Sequence, residues 1–323
     1  MIPRQLFQQL KCFASLGRAA QYACLCTCFL APLAALAEIQ ITDSHGKYRF
    51  AESPKRVVAL NWTLAEQMLE LGEIPIGMAD IKGFQRQTSL PVVPETVVDV
   101  GERLSPTLRH IRALKPDIIL IGYSQRSLLR PLSNIATVIY FKNFGQRYNN
   151  FEKSRERFLE MAKLFDKTAF AENKLAAADK QLSELRAELA KTYPDGKMPL
   201  LQITIPQSPA DIKNNKPVWT FGNNSLPYYA AKQLGLDVIS PDETNQFGTA
   251  QVTRDDLTLL GTQHKQAICH VYLSVYQDPK APNPAASTEP CVVEPAYQNA
   301  FGGALSVLYF AKALHQALMR QKI

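Results

Sequence analysis

The apolar residues between positions 166 and 192 fall on one helical stripe. Spacings of four and three residues alternate along it, and its members are Ala171, Leu175, Ala178, Leu182, Leu185 and Leu189. Residues with high helix propensity fill the stretch, and Pro194 follows its end. The pattern predicts one long helix over 166–192. About 24 helical residues at 1.5 Å each make roughly 36 Å, enough to cross a small domain. The alternative interpretation is an ordinary long surface helix within one domain.

Short apolar runs alternate with helical patterns in the chain before this helix. The runs lie at 55–60, 76–78, 97–100, 117–121 and 138–141. Strands and helices that alternate at this spacing favour a parallel sheet covered by helices. Two local expectations are that 80–94 forms a polar loop and that Pro106 is the first residue of a helix.

The second half repeats this organisation. The segments LSPTLRHIRALKPDIILIG and QVTRDDLTLLGTQHKQAICHV, one from each half, both predict a capped helix, a break and a buried strand. The predicted fold is therefore two α/β lobes, 38–165 and 193–323, joined by one long helix at 166–192. A cleft between the strand ends of two such lobes is a common place for a ligand.

Residues 1–37 have the pattern of a secretory signal peptide. Lys11 and Arg18 precede an uncharged and largely apolar run at 22–36, and Ala35-Leu36-Ala37 forms an A-x-A cleavage site. Cleavage is predicted after Ala37. A lipoprotein alternative at Cys28 fits poorly because Leu25-Cys26-Thr27 precedes it. No later segment reaches transmembrane length, so we expect a soluble mature protein.

Composition and charge narrow the class of function. Of the 323 residues, 46% are hydrophobic, which supports a packed core. The formal net charge is +7, and residues 1–37 carry three basic residues and no acid, so the mature chain has +4. Its basic residues are scattered, which argues against a nucleic-acid partner. Four of the six cysteines lie in the signal peptide. The remaining Cys269 and Cys291 are a candidate disulfide, and the alternative is two buried thiols.

Two functional classes find little support in the residues. Gly122-Tyr123-Ser124-Gln125-Arg126 resembles a nucleophile elbow, but Arg126 replaces its final glycine, so a secreted α/β hydrolase is a distant alternative. No other catalytic motif is present, and the sequence predicts no enzyme. A site for a bare metal ion is also not predicted, because the histidines are dispersed. They are His45, His110, His264, His270 and His315.

Three segments resemble the periplasmic substrate-binding proteins of the long-helix class. They are RVVALNWTLAEQMLELGEIPIGMAD, VDVGERLSPTLRHIRALKPDIILIG and FGNNSLPYYAAKQLG. Such proteins serve ABC importers of ferric siderophores, haem and cobalamin, and the chain is most similar to those that bind ferric hydroxamates. The resemblance implies two α/β lobes with little closure. It also implies a periplasmic monomer without a cofactor, which delivers an iron(III)–siderophore complex to an inner-membrane ABC permease dimer.

The resemblance also implies which residues contact the ligand. They are Trp62, Arg86, Tyr123, Trp219, Asn224, Ser225 and Phe301. The iron of a ferric siderophore is already chelated, so the protein needs hydrogen-bond donors for the hydroxamate oxygens and aromatic walls for the apolar backbone. The alternative role for the two tryptophans is core packing, and for Arg86 a solvated loop charge.

Members of the family dock to the permease through one acidic residue in each lobe. The matching residue of the second lobe is Asp255. In the first lobe the position holds Arg109, a departure, and Glu102 is the expected substitute. A second departure is the loop 278–290, where the family has a short helix with a tryptophan. A Cys269–Cys291 bridge would close this loop.

An anionic ligand is the main alternative within the family. Catecholate or carboxylate siderophores and haem carry negative charge and call for a basic rim. The candidate rim residues are Arg86, Arg103, Arg126, Arg147, Lys213 and Lys216. One arginine among several aromatic side chains favours a hydroxamate, whereas three or more converging cations favour an anionic siderophore.

Overall fold

Two α/β lobes joined by a long helix form the structure, as the sequence predicts. The computed structural model describes residues 38–88, 90–147, 149–205, 215–262, 267–273, 291–296 and 299–321. The predicted signal peptide and the loop 278–290 lie outside these residues. Among the described residues, no helix has the length and apolar character needed to cross a membrane.

The first lobe contains a five-stranded parallel sheet with the order β5-β4-β3-β6-β7. An antiparallel hairpin of β1 (Ile39–Thr42) and β2 (Lys47–Phe50) precedes it. The strands of the sheet are β3 (Val57–Ala59), β4 (Gly77–Met78), β5 (Val98–Asp99), β6 (Ile118–Ile121) and β7 (Thr137–Tyr140). Every residue of β3 and β6 is buried. Continuous apolar runs of this kind suit strands that are covered on both faces.

Short helices follow the strands of this sheet. They are α1 (Trp62–Glu70), α2 (Ile81–Gln87), α3 (Leu108–Ala113) and α4 (Leu129–Ser133), and a 3-10 helix spans Tyr123–Leu128. Asn61 caps α1, because its side chain accepts a hydrogen bond from the backbone N–H of Leu64 at 3.3 Å.

Two local predictions for this lobe are wrong. The expected loop at 80–94 contains α2, which the Asp80 side chain caps by accepting from the Gly83 N–H at 3.0 Å. Burial of Phe84 secures this helix against the core despite the glycine within it. Pro106 lies outside α3, because it forms a bridge to Gly101 and the helix begins only at Leu108.

The second lobe has a mixed sheet with the order β10-β9-β8-β11-β12. Its strands are β8 (Leu200–Ile205), β9 (Val218–Phe221), β10 (Thr249–Val252), β11 (Ile268–Tyr272) and β12 (Val292–Val293). β8, β11 and β12 are parallel, whereas β9 is antiparallel to both β8 and β10. An antiparallel neighbour needs no crossover helix between the two strands. The helices of the lobe are α7 (Leu226–Gln233), α8 (Arg254–Thr262) and α9 (Ser306–Arg320).

The long helix connects the lobes. It is α6 (Thr168–Thr192), it follows α5 (Asn150–Leu164), and it packs against α5, α7 and α9. It begins two residues later than the predicted 166–192. Five of the six stripe residues are buried and Leu185 is half-buried, so the stripe faces the core.

The predicted disulfide is present. It joins Cys269 in β11 to Cys291 at the beginning of β12, with a Cα–Cα distance of 4.6 Å. Both residues are buried. The bridge therefore ties two neighbouring parallel strands together near their amino-terminal ends.

Candidate functional site

The carboxyl ends of the first-lobe strands bring several long polar and aromatic side chains to one edge of the sheet. Trp62 follows β3, Tyr123 follows β6 and Lys142 follows β7. Parallel strands end at the same edge, which is where open α/β sheets bind ligands. Arg103, in the loop after β5, and Arg126, in the 3-10 helix, complete the group. We call these five residues the first-lobe edge.

A tryptophan and an arginine are stacked at this edge. The indole Nε1 of Trp62 donates to the carbonyl oxygen of Ala79 at 2.9 Å, which sets the orientation of the ring. The guanidinium carbon of Arg103 lies 3.6 Å from the centroid of that ring. The Oδ2 of Asp80 lies 3.9 Å from the Nε of Arg103, and 43% of the arginine side chain is exposed. The result is a guanidinium that lies between an aromatic ring and a carboxylate and remains partly exposed.

Tyr123 is the second aromatic platform of the edge. Its side chain is exposed, and two cations approach its ring. The guanidinium carbon of Arg126 lies 5.4 Å from the ring centroid, and the Lys142 Nζ lies 5.9 Å from it. Gln125 links this platform to the first, because its side-chain amide donates to the carbonyl oxygen of Arg103 at 3.3 Å.

A row of phenylalanine rings continues from the first lobe into the second. Phe144 lies in the loop after β7, and the centroid of its ring is 5.3 Å from that of Phe247. The ring centroids of Phe247 and Phe301 are 5.7 Å apart. Phe301 also contacts Phe221 at the end of β9, with ring centroids 5.8 Å apart. Phe144, Phe247 and Phe301 are half-buried. Together they offer an apolar surface where the lobes meet.

Phe301 is fixed to the first lobe by hydrogen bonds. The Thr63 hydroxyl, next to Trp62, donates to the Phe301 carbonyl oxygen at 2.8 Å. The carboxylate of Glu66 in α1 accepts from the Asn299 amide at 2.8 Å, from the Gly303 N–H at 3.1 Å and from the Ser306 hydroxyl. These donors lie on both sides of Phe301, so Glu66 sets the path of the segment that carries this ring.

The buried position of Glu66 shifts the pKa of its carboxyl group. Burial raises the pKa of its carboxyl to about 7, although the hydrogen bonds from Ser306, Gly303 and Asn299 lower it, and the charge of Glu70 raises it further. Glu70 accepts from the Tyr309 hydroxyl and from the Lys174 Nζ at 2.8 Å. Burial and this carboxylate raise the pKa of Tyr309. α1 is thereby joined to α9 and to the long helix.

The predicted second-lobe residues Asn224 and Ser225 make hydrogen bonds within the protein. The Asn224 Oδ1 accepts from the Asn150 N–H at 2.8 Å, and its amide donates to the Gly145 carbonyl oxygen at 3.1 Å. Ser225 is buried and caps α7, because its hydroxyl accepts from the Tyr228 N–H at 3.2 Å. These contacts describe structural roles, and ligand contact by either residue stays a prediction.

The other predicted ligand residues divide into two groups. Trp62, Tyr123 and Phe301 lie at the first-lobe edge or beside it. Trp219 lies in β9 opposite Ile205 and packs on the core, and Arg86 lies exposed in the last turn of α2. The structure thus places Arg103 rather than Arg86 against Trp62. The predicted strand at 97–100 was the available signal for Arg103, since residues just past a strand end reach the same edge as Trp62.

The remaining predicted residues are those of the proposed basic rim and the proposed docking surface. Of the proposed basic rim, Arg103 and Arg126 lie at the first-lobe edge, Arg147 and Lys216 are exposed elsewhere, and Lys213 lies outside the described residues. The proposed docking residues Asp255 and Glu102 are both exposed, as is Arg109. Asn215 orients Asp255 by donating to its carboxylate at 2.8 Å. Within the described ranges, no three His, Cys, Asp or Glu side chains are grouped to hold a metal ion.

Comparison with known proteins places this geometry in context. The profile of the family described as periplasmic binding protein matches residues 57–251. The iron(3+)-hydroxamate-binding protein FhuD of Escherichia coli (strain K12) is 27% identical over 274 residues, which cover 83% of this chain and 88% of that protein. The Fe(3+)-citrate-binding protein YfmC of Bacillus subtilis (strain 168) is 31% identical over 152 residues, 47% of each chain.

A solved structure is similar to this chain over nearly its whole length. The siderophore-binding protein FhuD from Vibrio cholerae, solved with Fe3+–Desferal bound, superposes with a TM-score of 0.73 at 32% identity. The match covers 82% of this chain and 98% of that protein. Similarity of this extent includes both lobes and the helix that joins them.

Proposed function

The chain belongs to the periplasmic binding protein family, and we propose that it binds a ferric siderophore of the hydroxamate class and delivers it to an inner-membrane ABC permease. It is a binding protein and not an enzyme, as the sequence predicted. The observation that carries the ligand class is the 32% identity, over 98% of its length, to a siderophore-binding protein that holds Fe3+–Desferal. Desferal is a trihydroxamate.

The first-lobe edge suits the chemistry of such a ligand. Iron(III) is fully chelated in the complex, so the protein contributes donors and apolar surface. The exposed guanidinium of Arg103 is positioned to donate to hydroxamate oxygens, which carry negative charge. Trp62 and Tyr123 supply flat apolar walls, and Phe247 and Phe301 supply the surface between the lobes. The protein needs no resident cofactor for this role.

Delivery requires export and a docking surface. We infer that residues 1–37 direct secretion, that cleavage follows Ala37 and that the mature protein works as a periplasmic monomer. One exposed acidic residue on each lobe, Glu102 on the first and Asp255 on the second, is proposed to meet basic residues of a permease dimer. The matching family is described as periplasmic binding protein, which supports the proposed location.

A carboxylate-bearing ferric complex is the second candidate ligand. Arg103, Arg126 and Lys142 bring three cations to the first-lobe edge. The 31% identity to an Fe(3+)-citrate-binding protein over 47% of the chain points the same way.

Fluorescence titration of a single-tryptophan variant tests the proposal. Trp62 and Trp219 are the two tryptophans of the chain, so Trp219→Phe leaves Trp62 as the reporter. The full chain is expressed with its signal, and the exported protein is titrated with ferric desferrioxamine B. We expect saturable quenching of the Trp62 fluorescence by the ferric complex. The metal-free chelator should give no saturable quenching. A folded protein that gives neither quenching nor calorimetric heat with any ferric siderophore contradicts the proposal.

A further inference from the structure

The disulfide lies at one end of the segment that carries Phe301. Cys291 is the residue before β12, and Phe301 follows it by ten positions in the chain. At the other end of the segment, Glu66 of the first lobe accepts a hydrogen bond from the Asn299 amide at 2.8 Å. The segment is therefore fixed to the second-lobe sheet at its beginning and to the first lobe at its end. The Phe301 segment consists of the described residues 291–296 and 299–303.

A disulfide, hydrogen bonds and a short strand fix the beginning of the Phe301 segment. β12 has two residues, takes the last place in the order of its sheet and pairs with β11. The Cys291 carbonyl oxygen accepts from the His270 N–H at 2.9 Å, and the Gln321 side chain donates to the Val292 carbonyl oxygen. A strand this short opens at a low free-energy cost. The bond to Cys269, which is fully buried in β11, therefore decides whether the segment stays in place.

Phe301 is the residue through which this attachment reaches the proposed ligand. The centroid of its ring lies 5.7 Å from that of Phe247 and 5.8 Å from that of Phe221, on the apolar surface where the lobes meet. The Thr63 hydroxyl, next to Trp62, donates to its carbonyl oxygen at 2.8 Å. Apparent affinity falls in proportion to the fraction of molecules that are competent to bind. A displaced Phe301 segment therefore weakens binding even when the rest of the protein is folded.

We infer that the Cys269–Cys291 bridge positions Phe301 for the ligand, so that ligand affinity depends on the oxidation state of the two cysteines. The inference rests on the proposed ferric-siderophore function and adds a redox control to it. Formation of the bridge takes two electrons and two protons from the two thiols. The disulfide of an exported thiol–disulfide oxidoreductase accepts them and becomes a dithiol. The reduced chain binds the ligand weakly, and the exported chain gains its full affinity when the bridge forms.

Calorimetric titration of the oxidised and the reduced protein with ferric desferrioxamine B tests the inference. The other four cysteines of the chain lie within residues 1–37, so the exported protein, cleaved after Ala37 as proposed, contains this pair alone. The reduced form is refolded from urea with dithiothreitol, which is removed under nitrogen before the titration. The oxidised form is refolded without it. We expect binding about tenfold weaker in the reduced form, as for a segment in place in about a tenth of the molecules, and recovery on reoxidation.

A double-mutant cycle separates an effect through Phe301 from a general loss of stability. Cys269→Ala/Cys291→Ala should bind as weakly as the reduced wild type. In a Phe301→Ala background the same change should cost less than about twofold, because the ring that the bridge positions is already absent. The control is Leu234→Ala, which removes a buried side chain at the carboxyl end of α7. It should lower the temperature of thermal unfolding and keep the affinity within about twofold of wild type.

The outcomes separate this inference from the function on which it rests. Equal affinity of the oxidised and the reduced protein overturns the redox control and leaves the siderophore function intact. A bridge effect of full size in the Phe301→Ala background, or a reduced chain that does not fold, assigns the bridge a general stabilising role and also overturns the inference. Absence of binding by the folded, oxidised protein removes the siderophore function, and the inference falls with it.

Discussion

The first-lobe edge and the junction beneath it differ in how their polar groups are held. At the edge, Arg103 keeps 43% of its side chain exposed and Tyr123 is 41% exposed. At the junction, which consists of Glu66, Glu70, Asn150, Asn224, Asn299, Ser306 and Tyr309, most polar side chains are buried and hydrogen-bonded across the lobes. Exposed charge contacts contribute about 0–1 kcal/mol, whereas an unsatisfied buried group costs about 1–3 kcal/mol.

The difference separates two properties of the molecule. Substitutions at the edge should change ligand affinity with little effect on stability, because the lost contacts are solvated. Substitutions at the junction should lower stability and alter the relation between the lobes. A junction that is hydrogen-bonded from α1 to α9 and α6 also suits a protein whose lobes close little, which is the behaviour that the family resemblance implied.

Removal of the Glu66 carboxylate should have the largest effect on stability. Glu66→Ala leaves the Asn299 amide, the Ser306 hydroxyl and the Gly303 N–H without their buried acceptor. We expect the free energy of unfolding in urea to fall by roughly 3–5 kcal/mol. Glu73→Ala, which breaks the half-exposed pair with Lys167, is the control and should cost under about 1 kcal/mol. Equal losses in the two variants would contradict the contrast between buried junction groups and solvated charge pairs.

The same carboxyl predicts a pH dependence of stability. Burial raises its folded pKa to about 7 from the ordinary value of 4.5, so between these values the folded state keeps a proton that the unfolded state has released. The stabilisation from this proton is present below pH 4.5 and is lost as the pH rises through 7. The difference in unfolding free energy between wild type and Glu66→Gln should therefore fall by roughly 2–3 kcal/mol from pH 5 to pH 8. A constant difference would mean that Glu66 does not titrate in this range.

Neighbouring asparagines at the beginning of α5 test the junction on a smaller scale. The buried Asn150 amide donates to the carbonyl oxygens of Asn224 at 2.9 Å and Gln246 at 3.0 Å, both in the second lobe. Exposed Asn149 only caps its own helix, by accepting from the Glu152 N–H at 3.1 Å. Thermal and urea unfolding should show a loss of about 2 kcal/mol for Asn150→Ala and about 1 kcal/mol for Asn149→Ala. The reverse order would argue against an interlobe role for Asn150.

Much of the fold follows from periodicity in the sequence. The apolar stripe of the long helix predicts a helix with one buried face, because its apolar residues recur with the helical period. The continuous apolar runs of β3 and β6 predict strands that are buried on both faces. The helix α2 was missed because its evidence is one buried phenylalanine and a capping aspartate beside a glycine. The antiparallel direction of β9 was also not predictable, because strand direction depends on pairing partners.

The candidate site was predictable where it depends on strand ends. Trp62 and Tyr123 follow strands whose apolar runs are evident, and their edge follows from parallel pairing. Arg103 was considered only for the basic rim, because the assignment of the ligand arginine depended on loop alignment and not on contacts. The first-lobe partners of Asn224, Asn150 and Gly145, lie more than 70 residues away in the chain, so the local sequence does not reveal these hydrogen bonds.

Substitution of Arg103 and of Arg86 tests whether the first-lobe edge controls ligand affinity with little effect on stability. Arg103→Gln removes the guanidinium that lies on Trp62, whereas Arg86→Gln changes an exposed side chain at the end of α2. Calorimetric titration with ferric desferrioxamine B should show a loss of about tenfold or more in affinity for Arg103→Gln, because a charged hydrogen bond to the ligand contributes about 1.5–3 kcal/mol. Arg86→Gln should bind within about twofold of wild type, and neither change should lower unfolding stability by more than about 0.5 kcal/mol. A larger loss of affinity at Arg86 would return the ligand contact to the residue that the family resemblance implied and would show that the edge reorganises around its ligand.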